Sequence, residues 1–194
     1  MLNIISAFGL AGASGLNAYI PLLIVAVAAH YPLGDPIIKL SEPYNMIGEW
    51  WAIVILSVLL VIEMLVDKIP AVDTLNDGIQ TFVRPAAGAI LFAANAHIIT
   101  DLHPAVALVA GLLVAGGVHA VKTTARPVVT ASTAGTGNWA VSLLEDFAAV
   151  IMTLLAIFVP VIAAVLFVIG VFFMVKFIRR RRRRKRQYAF LSSQ

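Results

Sequence analysis

The chain contains no cysteine, which excludes disulfides, thiolate metal ligands and cysteine nucleophiles. It is also poor in charge. Only 12% of its 194 residues are Asp, Glu, Lys or Arg, whereas 61% are hydrophobic and the mean hydropathy is +0.96. Soluble domains carry about 25% charged residues, so this balance predicts an all-α polytopic membrane protein. A length of 194 residues allows five or six spans and almost no soluble domain. No Lys or Arg precedes the first apolar run, Leu2 to Ala29, so that run is read as a retained helix rather than a cleaved signal. Enzyme signatures are missing as well. There is no His-Glu-x-x-His, no Gly-x4-Gly-Lys-Ser/Thr loop and no Ser/His nucleophile set, so no catalysis, cofactor or confident metal site is expected.

What charge there is falls in informative places. The first run is interrupted by Gly9, Gly12, Ser14, Gly15, Asn17, Tyr19 and Pro21, small and polar residues that predict close helix packing and a kinked or broken helix at mid-depth. A loop over 30–49 follows, and Trp50 and Trp51 mark a membrane interface. The second span ends in the polar stretch that starts at Glu63. A charged side chain inside a span costs about 2.5–3.5 kcal/mol on insertion scales, so Glu63 needs a partner, water or a function. Asp67 lies one helical turn on, with Lys68 beside it, and Asp73 and Asp77 repeat the spacing beyond Pro70. Residues 69–84 read as a short amphipathic connection closed by Arg84-Pro85. A third span is expected over 86–99, with His97 and Asp101 spaced as a carboxylate–imidazole pair, and a fourth over 105–121, ending near His119 and Lys122. Residues 123–138, hydroxyl-rich and flanked by Lys122 and Arg126, read as a flexible loop able to hold an anion.

The apolar stretch 139–178 carries Glu145 and Asp146. One straight helix of that length would reach about 60 Å, twice a hydrocarbon core, so a break is predicted at Pro160. Beyond it comes Arg179-Arg180-Arg181-Arg182-Arg183-Arg184-Lys185-Arg186. This tail holds eight of the 14 basic residues and leaves six against ten acidic ones in the body, a balance of −4. Positive residues beside a span stay in the cytoplasm, so a cytoplasmic C-terminus is expected, with the tail (179–194) on anionic lipid head groups. No domain accompanies it to read a nucleic acid. Six spans keep Lys68, Arg84, Lys122 and Arg126 on the cytoplasmic side too, as a multi-pass inner-membrane protein would have them.

The two halves of the body (1–178) share three short patterns. Gly15-Leu-Asn17-Ala pairs with Gly117-Val-His119-Ala, and Leu65-Val-Asp67 with Leu143-Leu-Glu145-Asp146. Pro85-Ala-Ala-Gly-Ala-Ile-Leu-Phe92 pairs with Pro160-Val-Ile-Ala-Ala-Val-Leu-Phe167. Three spans per half, over 1–100 and 101–178, predict an inverted 3+3 repeat with a site at the interface of the halves.

Four segments carry a resemblance to a known family. They are Ala13-Ser-Gly-Leu-Asn-Ala-Tyr-Ile-Pro-Leu22, Glu63 with Asp67-Lys-Ile-Pro-Ala-Val-Asp73, Arg84-Pro-Ala-Ala-Gly88, and Ser142-Leu-Leu-Glu-Asp146. In this order they resemble the bacterial membrane family called domain of unknown function 4126, over most of residues 5–170. The resemblance implies a shared membrane fold and no activity. A looser likeness is to inverted-repeat cation/proton exchangers, whose Glu-x-Gly-Asp-Lys-Thr motif differs from Glu63…Asp67 by one residue of spacing and the glycine.

The expectation is therefore a small transporter or channel that moves a cation or a proton-coupled solute. Its pathway would use Glu63, Asp67, Asp73, Asp77, Glu145 and Asp146, lined by Asn17, Tyr19 and His119. Lys68, Arg84, Lys122 and Arg126 would neutralise these acids or clamp an anion. A homodimer is compatible with six short spans. The alternative is a structural, assembly or lipid-binding membrane protein whose charges are buried pairs.

Overall fold

The fold comes from a computed structural model that describes residues 4–30, 36–66, 70–95, 102–133 and 137–162, and parts of 165–176. The side chains at 70–75, 77 and 128–129 lie outside that description. The described residues are almost wholly helical, with no strand. The elements in order are α1 (Ile4–Leu16), α2 (Tyr19–His30), a 3-10 turn (Tyr44–Gly48), α3 (Trp50–Val66), α4 (Pro70–Asn95), α5 (Pro104–Thr133) and α6 (Gly137–Phe158). After α6 the chain leaves the helix at Val159 and re-enters it at Pro160, where the break was expected. Proline suits a first helical position because its missing N–H has no partner there in any case.

Helix α1 is the centre of the bundle. Ser6, Ala7 and every residue from Gly9 to Gly15 are buried, and α4, α5 and α6 pack around it. The approach is close because the contacts are small. A Cβ on Gly15 would meet Ala115 O and Val118 Cβ, both at 2.5 Å. One on Gly88 would strike Ala115 Cβ, and one on Gly111 would strike the Gly88 carbonyl. Burial on α5 follows a single stripe, Ala107, Gly111, Ala115, His119, Lys122 and Arg126, at three- and four-residue steps. The first half of the stripe is small and the second half is polar.

The distribution of size and polarity is inverted relative to a soluble protein. Arg84, Gln80 and Asn17 are among the most buried side chains, whereas Trp50, Leu113, Leu144 and Phe147 are all more than half exposed. Small residues inside and large apolar residues outside is the packing of helices whose surroundings are as apolar as their core. Two described helices, α5 and α6, are long and apolar enough to cross a membrane.

Two expectations need correction. Residues 123–133 are not a loop but the continuation of α5 through Pro127. Their hydroxyls fold back on the helix itself. Thr123 donates to the carbonyls of His119 and Ala120, Thr124 to Val121 and Thr130 to Arg126. A composition that reads as loop is thus satisfied inside a helix. Residues 70–95 form one helix through Pro85, not a connection followed by a span. The Pro85 ring faces Gly116 of α5, at 3.6 Å from where a Cβ would stand, so packing holds the helix past its proline. The break expected within the first apolar run falls at Asn17-Ala18, between α1 and α2.

Candidate functional site

The break between α1 and α2 lies at the meeting point of the polar residues. Asn17 makes the last backbone bond of α1, donating its N–H to the Ala13 carbonyl. Its side-chain oxygen then caps α2, accepting the N–H groups of Tyr19 (2.9 Å) and Ile20 (3.0 Å). Pro21 falls in the first turn of α2, where a missing N–H costs little. The Asn17 amide donates to Asp146 Oδ1 of α6 at 2.9 Å. The other half of the break is held from α5, where Lys122 Nζ donates to the Leu16 carbonyl at 3.1 Å. A cation therefore sits at the C-terminal end of α1 and a carboxylate at the N-terminal end of α2. Each complements the partial charge of its half-helix.

Two ion pairs flank the break. Lys122 Nζ lies 2.7 Å from Glu145 Oε2, which Arg126 also reaches at 3.4 Å. The Lys122 side chain is 2% exposed and that of Glu145 is 14% exposed. The second pair joins α3 to α4. Arg84 Nη2 donates to Glu63 Oε1 at 3.0 Å, with both side chains 1% exposed. Arg84 Nη1 also lies 3.4 Å from His119 Nδ1. A guanidinium only donates, so Nδ1 accepts. The neutral imidazole then carries its proton on Nε2, which faces Thr81 Oγ1 at 3.2 Å. Gln80, one turn before Arg84, is buried. Arg84 Nε and Gln80 Oε1 are buried without a hydrogen-bond partner among the described residues.

Beside the Lys122–Glu145 pair is a cavity of about 340 Å³. Gly12 and Leu16 of α1 form one wall, and Val118, Val121 and Ala125 of α5 another. Met152 of α6, with Leu166 and Gly170 beyond Pro160, closes the rest. Its lining is apolar except for Lys122 and Glu145.

The centre thus gathers Asn17, Tyr19, Glu63, Arg84, His119, Lys122, Arg126, Glu145 and Asp146 from both halves of the chain. Its three carboxylates, Glu63, Glu145 and Asp146, are matched by three cations, Arg84, Lys122 and Arg126. Asp67, Lys68, His97 and Asp101, the side chains of Asp73 and Asp77, and the tail 179–186 lie outside the described residues. Among the described residues no group of three or more His, Cys, Asp or Glu could hold a metal ion.

The family model for domain of unknown function 4126 matches residues 4–180. The chain belongs to this DUF4126 family. No curated protein and no solved structure matches it. The matched range contains every residue of the centre and ends two residues into the basic tail. Sequence reasoning missed two members of this DUF4126 centre, Gln80 and Thr81. A signal existed in the four-residue series Gln80, Arg84, Gly88, which puts Gln80 on the interior face of α4.

Proposed function

We propose that this DUF4126 protein is a small multi-pass transporter of about six spans, built as an inverted 3+3 repeat in the inner membrane with its C-terminus in the cytoplasm. It moves a cation or a proton-coupled small solute through the polar centre, and it is not an enzyme. The observation that carries the reading is the discontinuous helix α1–α2, held open by Lys122 on the Leu16 carbonyl and by Asp146 on Asn17, next to a cavity. Helices broken at mid-depth, with charges on the half-helix ends, are a common substrate-site device of secondary transporters. The participation of both halves in one centre is what an inverted repeat would produce.

The charge balance favours the proton-coupled form. A bare cation would have to displace an arginine or lysine from Glu63 or Glu145. Protonation of Glu145 needs no such exchange, and it releases Lys122 toward the cavity. Glu145 is the proposed proton carrier, because it is the paired carboxylate that the cavity reaches. The basic tail would hold anionic lipid head groups, and a homodimer would complete the assembly.

A second reading, a structural or lipid-binding membrane protein, is favoured by the Glu63–Arg84 pair, which is fully buried and makes a dry link between α3 and α4. Flux into proteoliposomes separates the two. Wild type and Glu145→Gln are compared with sodium, potassium, calcium, manganese and imposed pH gradients, using a pH dye. Transport predicts flux in wild type that is lost in the variant. No flux with any gradient in wild type would move the assignment to the structural reading.

A further inference from the structure

We propose that the cavity between α1, α5 and α6 binds an uncharged amphipath, a single apolar chain carrying one hydroxyl group. This inference rests on the reading of that cavity as the solute site and names the class of solute. The walls from Gly12, Val118, Val121, Met152, Leu166 and Gly170 offer only apolar contact. An inorganic ion would leave them empty, whereas an alkyl chain fills them. The volume of about 340 Å³ is at the lower end of small-molecule sites, which suits one chain and not a two-chain lipid.

The polar end carries no net charge, since Lys122 and Arg126 stand against Glu145 and Asp146. A charged head group would leave water and meet no net counter-charge, so it is penalised whatever its sign. Hydrogen-bonding capacity does remain there. Lys122 has three ammonium hydrogens and uses two, on Glu145 and on the Leu16 carbonyl. Both cations meet Glu145 at Oε2, which leaves Oε1 to accept. Lys122 and Glu145 both line the cavity. A donor and an acceptor side by side fit a hydroxyl, whose one oxygen accepts from the ammonium while its hydrogen goes to the carboxylate. Each bond is charge-assisted, and no ion pair has to break. Apolar contact alone would not draw the solute out of the bilayer, because lipid tails are as apolar as the walls. The hydroxyl supplies the preference, since hydrocarbon offers it no partner.

Photolabelling of the full chain in phosphatidylcholine nanodiscs with a diazirine-bearing octanol tests this, with labelled positions mapped by mass spectrometry. Saturable labelling at Val118, Val121 or Met152 is expected, blocked by excess octanol. Octane should compete about tenfold more weakly, the size of a lost charge-assisted hydrogen bond. Octyl sulfate and octyltrimethylammonium, which stay charged at any working pH, should compete no better than octane. Glu145→Gln leaves the polar end with a net positive charge. Octyl sulfate should overtake octanol in that variant, a gain that a merely destabilised protein would not show. A side chain at Gly170 meets no atom within 4 Å, so Gly170→Trp can fill the cavity without disturbing the fold, and it should abolish the wall labelling. No saturable labelling of the walls would overturn the proposal. So would octane or either charged competitor matching octanol in wild type, unchanged labelling in Gly170→Trp, or octanol still preferred in Glu145→Gln. Wall labelling without any flux would remove the transport reading and leave the site. Proton or cation flux without wall labelling would remove this site and leave transport.

Discussion

The two ion pairs of the centre have the same chemistry and different surroundings. Glu63–Arg84 is sealed, with both side chains 1% exposed and the arginine also engaged by His119. Lys122–Glu145 lies at a cavity wall and at a helix break, and its carboxylate is 14% exposed. A sealed pair cannot exchange its proton or partner without opening the bundle, so Glu63–Arg84 acts as a fixed link between α3 and α4. A pair beside a cavity can exchange both. The difference teaches that a carboxylate inside a membrane helix is not by itself a transport residue. In the proposed transporter, access decides which of the two acids works and which one holds.

The largest expected effect comes from breaking the sealed pair. Glu63→Gln or Arg84→Met should each lower stability by about 3–5 kcal/mol, because the remaining charge is left buried and uncompensated. Combining Glu63→Met with Arg84→Met should recover most of that loss. Thermal unfolding in one detergent reads all three. Next is the small-residue end of the same bundle, where Gly111→Leu should cost about 1–3 kcal/mol or more by overpacking α5 against α4. That value calibrates how rigid the scaffold is without touching a charge. Glu145→Gln should cost less, about 1–2 kcal/mol, since Lys122 keeps the Leu16 carbonyl and a glutamine oxygen at this more exposed position still accepts from it. Equal losses for Glu63→Gln and Glu145→Gln would erase the comparison. The smallest effect is expected at the break itself. Asn17→Ala should cost about 1 kcal/mol by uncapping α2, measured by the same melts. It should also alter flux, because Asp146 loses its amide donor.

Much of this arrangement was legible in the sequence. The polar residues inside apolar runs pointed to a shared centre. The Asn17–Pro21 interruption and Pro160 marked the two helix breaks. Local chemistry carried that information, through a cap-forming side chain and two prolines. Partners were not legible in the same way. Arg84 is 21 residues from Glu63, and Asn17 is 129 from Asp146, and nothing in either neighbourhood specifies the other. The carboxylates read as an acidic pathway because their counter-charges arrive from other helices. The extension of α5 through 123–133 was hidden for a different reason. Thr, Gly and Pro signal a loop in water, but in an apolar setting the hydroxyls turn back onto the helix carbonyls. Continuity of α4 through Pro85 was hidden because it depends on a glycine, Gly116, in another helix.

The most direct test of the central claim is proton flux in dye-loaded proteoliposomes by wild type and Glu145→Gln, each normalised to folded protein. The account predicts flux in wild type and at least about a tenfold loss in Glu145→Gln, a barrier change of about 1.4 kcal/mol or more, while the variant stays folded. Undiminished flux in Glu145→Gln would contradict it, because the cavity-facing pair would then not be the one that carries the proton.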